Sequence, residues 1–466
     1  MSLGATLFCI YSMKRVALHT LGCKLNFAES STIGRQFMER GFNVVDAHEP
    51  ADVFVLNTCT VTERADGEAR QIIRRVLKNS PDAFVIVVGC YAQLQPEEIA
   101  SIDGVSLVLG SKEKFSLFDY VEEFKKPLYP QLWVSDVVEA AEFLPAFAAE
   151  VGGRTRAFLK IQDGCDYTCA FCTIPLARGG SRSAEPQSVV DQARQLARQG
   201  YKEIVLTGVN IGDYGKTHGT DFFSLLQLLE TIQGIERFRI SSIEPNLLTS
   251  EIIQYVLQSD RFAHHFHIPL QSGSDFILKR MRRRYRAKDY REVIEQIHFF
   301  DPDAGVGADV IVGFPGETEE HFEETYSFLV DLPLSYLHVF TYSERENTPA
   351  AEFDGVVEPK VRARRSEMLR ILSQKKRHAF ASKFIGTIVN VLFEGSEGER
   401  VSRGMTSNYL RVRTRMNASL SNTIQPVLID EVDDEECVGE IVKNSSSMSA
   451  VRDSFLVSSS YSEVVQ

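Results

Sequence analysis

Residues 164–172 read Gly164-Cys165-Asp166-Tyr167-Thr168-Cys169-Ala170-Phe171-Cys172, a C-x3-C-x2-C spacing. Three thiolates on spacers this short, with an unbranched glycine ahead of them, can wrap one iron–sulfur cube. A four-iron cube needs four ligands, so three leave one iron open. An open iron can bind and reduce a substrate instead of only storing an electron. The competing reading is a zinc knuckle or three unrelated thiols. Zinc sites favour paired C-x2-C units or a nearby histidine, and this loop holds no histidine.

Three more cysteines stand where a fold could gather them. Cys23, Cys59 and Cys90 each follow a strand-like apolar run, over Arg15 to Thr20, Asp52 to Leu56 and Ala83 to Val88, and Val105 to Leu109 is a fourth such run. Helical spacing fills the intervals: Phe27 to Glu39, about Thr62 to Lys78, a start at Pro96, and a last stretch near Lys112 to Phe124. The alternation predicts an open parallel sheet with helices on both faces. In such a sheet all C-terminal strand ends share the ligand-binding edge. Three thiolates there could hold a second cube, again with one iron open; a buried structural cysteine at each place is the plainer alternative.

The elements that position these residues fall into three domains. At 466 residues, 44% hydrophobic and 24% charged, the chain has an ordinary globular composition. Eight cysteines without paired spacing suit metal ligation in a reducing compartment, so a cytoplasmic location is expected. The division predicted is an extension over 1–13, the parallel α/β domain over 14–126, a connection over 127–157, a central domain over 158–379, a small domain over 380–443 and a disordered tail over 444–466. No stretch is apolar and long enough for a transmembrane helix.

In the central domain, strands are expected at Phe158 to Gln162, Glu203 to Leu206, Arg237 to Ile243, His264 to Ile268, Gly307 to Ile311 and Ser335 to Thr341. With helices between them, six units make a partial (β/α)6 barrel open on one side; a complete barrel has eight. Polar residues after the strands, Asn210, Ser242, Glu244 and Gln271, stand on the face where barrels bind ligands. His264, His265 and His267 are not read as metal ligands, because alternation splits His264 from His265 and no acid or thiol has matching sequence spacing. Past Ala381, five short strand-like runs predict a small closed β-barrel.

Net charge is −12, against non-specific nucleic-acid binding, yet cations are dense from Lys279 to Arg291 and from Lys360 to Arg377. Arg280, Arg282, Arg283 and Arg284, with Tyr285 and Tyr290 interleaved, are candidate RNA contacts, as are Tyr409 and Arg411. A solvated helix face or pairing with acidic neighbours is the alternative.

The Cys165 loop, with Phe171 directly before its last cysteine, resembles the radical S-adenosylmethionine (SAM) enzymes. Thr20-Leu21-Gly22-Cys23-Lys24-Leu25-Asn26, Asn57-Thr58-Cys59-Thr60-Val61 and Val88-Gly89-Cys90-Tyr91-Ala92-Gln93 resemble the signature stretches of methylthiotransferases within that superfamily, and the likeness runs from about residue 14 to 440. The resemblance implies two [4Fe-4S] clusters. Cys165, Cys169 and Cys172 would hold the one that cleaves SAM to a 5′-deoxyadenosyl radical, with Asn210, Ser242, Glu244 and Gln271 around the SAM; Cys23, Cys59 and Cys90 would hold an auxiliary cluster that presents sulfur.

It also implies a TRAM-like RNA-binding barrel at the C-terminus, a tRNA anticodon arm as substrate, a flavodoxin- or ferredoxin-like reductant and a monomer, and leaves the sulfur donor open. Leu21 to Asn26 and Ile161 to Cys165 look most like the MtaB type, which implies methylthiolation of N6-threonylcarbamoyladenosine at C2. Isopentenyl-adenosine in tRNA and a ribosomal-protein aspartate are the alternative substrates. A non-enzymatic iron–sulfur RNA sensor is the alternative of another class.

Overall fold

A computed structural model describes residues 13–59, 63–137, 142–148, 155–394, 401–415 and 420–442. The extension and the tail expected at the two ends lie almost wholly outside these residues.

The N-terminal domain is a six-stranded, wholly parallel sheet, β1 (Arg15–Thr20), β2 (Asn43–Val45), β3 (Val53–Thr58), β4 (Phe84–Gly89), β5 (Val105–Leu109) and β6 (Gln131–Trp133), in the order β2-β1-β3-β4-β5-β6. β3, β4 and β5 are buried along their whole length, as a sheet covered on both faces requires. One face packs under α1 (Lys24–Glu39), with Ile33 and Phe37 against Val53, Val55 and Ile86. The other lies under α2 (Glu63–Asn79), α3 (Cys90–Leu94) and α4 (Pro96–Ala100). β6 comes from the stretch expected to be only a connection.

The helix expected near Lys112 to Phe124 is instead two single 3₁₀ turns, Glu113–Phe115 and Leu117–Asp119. The tighter path seats Phe118 and Phe124 against Phe37, at 4.9 and 5.6 Å, and turns Lys114 inward.

The central domain is the predicted partial barrel. Its short antiparallel edge strand β7 (Phe147–Ala148) pairs with β8 (Arg156–Lys160); a two-residue hairpin, β9 (Gln162–Asp163) and β10 (Arg182–Ser183), flanks the cysteine loop. Parallel strands then follow as β11 (Glu203–Thr207), β12 (Arg237–Ile240), β13 (His265–His267), β14 (Gly305–Val312) and β15 (Tyr336–Thr341). The three-stranded sheet β13-β14-β15 meets β12 through a parallel bridge from Phe238 to Phe262.

Around them run α5 (Ile174–Arg178), α6 (Pro186–Arg198), α7 (Phe222–Glu230), α8 (Ser250–Gln258), α9 (Asp275–Arg280), α10 (Ala287–Phe300), α11 (Glu319–Asp331) and α12 (Pro359–Ser382). Ile204, Phe238, Phe266, Val306 and Leu337 join the shell between strands and helices. Two-residue alternation therefore turns Glu203, Arg239, His265, His267, Asp309 and Tyr336 to the lumen. The N-terminal domain docks through α1, whose Phe27 meets Phe158 of β8 edge-on at 5.9 Å.

The C-terminal domain closes as a five-stranded barrel of β16 (Ile388–Phe393), β17 (Val401–Met405), β18 (Arg411–Arg415), β19 (Ile424–Asp433) and β20 (Glu436–Ile441), in the order β16-β17-β18-β20-β19. Its β17–β18 turn plugs the foot of the central barrel: Arg237 and Arg239 donate to the carbonyls of Met405, Thr406 and Ser407 at 3.0–3.1 Å, and Asn408 donates to Asp303 O at 2.9 Å.

Candidate active site

Parallel topology does to the first three thiols what the sequence pattern predicts. Cys23 caps α1 just beyond β1, Cys59 follows β3 directly, and Cys90 opens α3 directly after β4. β1, β3 and β4 are consecutive neighbours in the sheet, so the three residues share one edge. Gly22, at φ +98°, permits the approach: a Cβ there would sit 2.6 Å from Cys59 Cβ and 2.8 Å from its Sγ.

Asn26, fully buried, fastens the loops by donating to Leu21 O at 2.8 Å and Thr58 O at 3.0 Å. Asn57 donates to Asn26 O at 2.9 Å, and Thr58 Oγ1 donates to Val88 O at 2.6 Å. Burial pushes the Cys90 thiol up, and Arg178 and Lys114 pull it back.

The second triad lies on the loop after β9. Gly164, at φ +68°, has no room for a side chain, since a Cβ would meet Gly180 O at 1.9 Å. Gln162 straps the loop with its amide nitrogen, donating to Gly164 O at 2.8 Å and Ser181 Oγ at 3.0 Å, while its oxygen accepts from Asn210 N at 2.8 Å. Arg283 reaches in from beyond α9, with Nη1 3.1 Å from Cys169 Sγ and an ion pair to Glu244. Burial raises Cys165 to about 11 and Cys172 to about 12, so the metal-free thiols are protonated at neutral pH. Burial also raises Cys169 and Glu244, against the pull of Arg283.

One side chain ties the triads together. Arg178, at the end of α5 and 1% exposed, donates to Asn26 Oδ1 at 2.6 Å, Glu29 Oε1 at 2.9 Å and Asp163 Oδ1 at 3.0 Å. Lys160 pairs with Glu29 at 3.2 Å and Asp163 at 2.7 Å, Lys114 with Glu29 at 2.8 Å, and Arg182 with Asp163 at 3.0 Å. Burial alone would raise both carboxyls, yet these cations hold Glu29 and Asp163 well below the usual range. The network spans α1, α5, β8 and β9, and Ser111 Oγ, donating to Ala177 O at 2.7 Å, adds a second tie. Four buried cations face two carboxylates here, a surplus of positive charge beside Cys90 that suits an anionic thiolate-ligated cluster.

Of the residues placed around SAM, Asn210 is buried and Ser242, Glu244 and Gln271 are half-buried, all in turns after barrel strands. Asn210 Oδ1 and Thr207 Oγ1 are buried polar atoms without a protein partner, as a polar ligand's site would leave them. The residues present therefore fit clusters at both triads and SAM beside the second.

Several expected RNA contacts do not face solvent. The Arg283 side chain is buried against the cluster loop, and Tyr285 is buried with its hydroxyl on Pro269 O at 2.8 Å. Tyr290 is buried too, its hydroxyl on Ile268 O at 3.0 Å. Arg280 bonds Pro315 O at 3.1 Å and Asp354 at 2.7 Å. Arg284 lies 3.8 Å over the Tyr167 ring, exposed beside the loop, and Arg282 is exposed at φ +59°. On α12, Arg362 and Arg365 turn inward to Glu344 and Glu317, both at 2.6 Å. Tyr409 precedes β18 instead of opening it and packs at the domain junction, its ring 4.4 Å from that of His265 and under Arg239 at 5.0 Å. Arg411 is exposed.

The lumen histidines gain the acidic partner that sequence spacing does not supply. Asp309, from the next strand, meets His267 at 2.9 Å and His338 at 3.3 Å, and the three ligand atoms lie within 4.8 Å of one another. His264, on the other side, pairs with Asp301 at 2.7 Å.

The comparisons agree with this geometry. The profile described as Uncharacterized protein family UPF0004 matches residues 15–110, and that of the Radical SAM superfamily matches 159–329. A relative from Bacillus subtilis (strain 168), threonylcarbamoyladenosine tRNA methylthiotransferase MtaB, is 42% identical over 410 residues, covering 86% of this chain and 90% of its own. The protein of that name from Aquifex aeolicus (strain VF5) is 37% identical, covering 86% and 96%. A Fusobacterium nucleatum tRNA-2-methylthio-N(6)-dimethylallyladenosine synthase is 33% identical, covering 92% and 100%. Among solved structures, the radical S-adenosylmethionine methyltransferase TsrM from Kitasatospora setae shares the fold at TM-score 0.55 and 14% identity, covering 83% and 79%. The chain therefore belongs to the radical SAM methylthiotransferases, as a tRNA-modifying enzyme of the MtaB type.

Proposed function

We propose that the enzyme transfers a methylthio group to C2 of N6-threonylcarbamoyladenosine beside the anticodon of tRNA, using two [4Fe-4S] clusters and two SAM molecules. The observation that carries this is Arg178. Its guanidinium contacts Asn26 and Glu29 behind the first thiol triad and Asp163 beside the second, which supports delivery of sulfur and radical to one chamber.

The C2–H bond of an adenine ring is neither acidic nor displaceable, so acid–base groups cannot activate it. A cluster on Cys165, Cys169 and Cys172 supplies radical chemistry from SAM when bound, and one on Cys23, Cys59 and Cys90 presents sulfur. The chain's own residues orient and insulate. Arg283 donates to Cys169 Sγ, which stabilises negative charge on that thiolate. Gln162 and Asn210 hold the turn against which SAM would lie, and Asn210 Oδ1 is left free to accept from it. Glu244, fixed by Arg283, offers a carboxylate oxygen to ribose hydroxyls. Arg282, Arg284 and Arg411, all exposed, are the cations placed to meet the anticodon arm. A small flavodoxin- or ferredoxin-like protein would supply electrons to a monomer working in the cytoplasm.

The test is mass spectrometry of tRNA nucleosides from a deletion strain. The reading expects 2-methylthio-N6-threonylcarbamoyladenosine to vanish and its unmethylthiolated precursor to accumulate. Loss of the methylthiolated dimethylallyl nucleoside instead would reassign the substrate, and unchanged nucleosides would remove tRNA from the account.

A further inference from the structure

The foot of the central lumen is strongly cationic, and nearly every cation there is committed. Arg237 and Arg239 share the single carboxylate of Glu203, at 2.5 and 2.8 Å, and spend their other donors on the β17–β18 turn. Arg156 pairs with Glu394 at 2.5 Å. Lys24 differs. It is the first residue of α1, exposed, and one turn ahead of the Phe27 that packs on Phe158 of β8, which brings it within reach of the charges of Arg239, Arg156 and Glu203 at the barrel foot. Among the described residues it makes neither a hydrogen bond nor an ion pair.

A second atom in this place also lacks a partner. His265 is 3% exposed, stacks on Tyr409 and has Nε2 hydrogen-bonded with the Tyr336 hydroxyl at 2.9 Å, while its buried Nδ1 has no protein partner. A lumen whose floor is already crowded with guanidinium groups, and which still presents one unpaired ammonium, is built for an anion.

Lys24 is also tied to the chemistry. It directly follows Cys23, so the two Cα atoms are about 3.8 Å apart, and a group held by its ammonium lies beside the first thiol triad. The threonylcarbamoyl substituent of the proposed nucleoside ends in a free carboxylate several bonds from the adenine ring. A dimethylallyl group carries none.

We infer that the foot of the lumen is the pocket for the N6 substituent, and that Lys24 pairs with its carboxylate and selects it over uncharged substituents. This rests on the substrate proposed above. Asp309, the lumen's other carboxylate, is engaged by His267 at 2.9 Å and His338 at 3.3 Å.

The experiment uses the full-length, anaerobically reconstituted enzyme and two synthetic anticodon hairpins, one bearing N6-threonylcarbamoyladenosine and one with its carboxylate converted to the primary carboxamide. Dissociation constants, KM and kcat are compared for the wild type, Lys24→Met and Lys24→Arg. A charge-assisted contact is worth roughly 10- to 100-fold in affinity. The wild type and Lys24→Arg should favour the acid over the amide by that factor, chiefly in the dissociation constant and KM, and Lys24→Met should bring the ratio close to one. Each ratio is internal to one protein, so differences in cluster loading cancel.

A wild type that does not discriminate, or a Lys24→Met variant that still does, overturns the inference alone. A wild type that neither binds nor methylthiolates the acid hairpin overturns the proposed substrate and this inference together.

Discussion

Replacing Glu29 with glutamine keeps the shape of the side chain and removes one of the two negative charges in the buried network. Glu29 is wholly buried and accepts from Arg178, Lys114 and Lys160 at 2.8–3.2 Å. In Glu29→Gln the four cations Lys114, Lys160, Arg178 and Arg182 have only Asp163 to answer them. Breaking a buried pair from one side costs about 3–5 kcal/mol, and the loss here falls on the joint between α1 and the barrel.

Trp133, the only tryptophan, sits on β6 of the N-terminal sheet and reports that domain during urea unfolding. At pH 7 the metal-free variant should lose at least about 3 kcal/mol relative to wild type. The sign with pH follows from the depressed carboxyl. Its contribution is complete above the ordinary carboxylate range, starts to fall as pH drops below the unfolded value and is lost only as pH passes through the much lower folded value, so the gap between wild type and variant should begin to close below about pH 4. Adding Lys160→Met to Glu29→Gln removes a cation that has lost part of its pairing, and should restore at least about 1 kcal/mol. A single variant within about 1 kcal/mol of wild type at pH 7, or a double variant showing no recovery, would mean that Glu29 does not balance these cations.

Other outcomes follow from single contacts. Gly22→Ala forces a Cβ onto Cys59 and an unfavourable φ on residue 22, so the variant should lose about half the bound iron and keep SAM cleavage, read by iron assay and 5′-deoxyadenosine formation. Tyr409→Ala removes the ring that packs on His265 and under Arg239 at the barrel foot. The junction between the barrels should become a site of limited proteolysis in the variant and stay resistant in the wild type. Because burial raises Cys165 to about 11 and Cys172 to about 12 from an ordinary 9.0, the folded metal-free chain holds more protons than the unfolded one between pH 9 and 12. Its stability should therefore fall across that range, and iron loading at pH 8 should release protons measurable with an indicator dye.

Much of the architecture was legible because local pattern and tertiary role coincide. Val53–Thr58 and Phe84–Gly89 are apolar runs ended by Cys59 and Cys90, and a parallel sheet makes such ends neighbours without further information. The C-x3-C-x2-C loop needs only its own nine residues. The charged network could not be read this way, because its partners lie 131 and 149 positions apart and each alone looks like a surface residue.

One signal was available. Leu25, Glu29, Ile33 and Phe37 fall at four-residue spacing on α1, so Glu29 is a charge on the buried stripe and requires a buried partner. Lys160 within the apolar Arg156–Lys160 strand is a similar sign. The division of the basic run between surface and interior is hidden in the sequence for the converse reason. A run such as Arg280 to Arg284 looks uniformly solvated in one dimension, whereas the turn after α9 sends Arg283 inward to Cys169 and leaves Arg282 and Arg284 outside. Tyr409 is withdrawn from RNA for another reason: the chain turns at φ +75° on Tyr409 before the strand begins at Arg411, and the ring packs at the domain junction.

On the proposed function, two separate thiol triads serve one chamber. Iron content with Mössbauer spectra, taken on the reconstituted wild type and on Cys23→Ala/Cys59→Ala/Cys90→Ala, tests it most directly. About eight irons per chain are expected in the wild type and about four in the variant, which should still form 5′-deoxyadenosine but no methylthiolated RNA. About four irons in both proteins, or methylthiolated RNA from the variant, would contradict it.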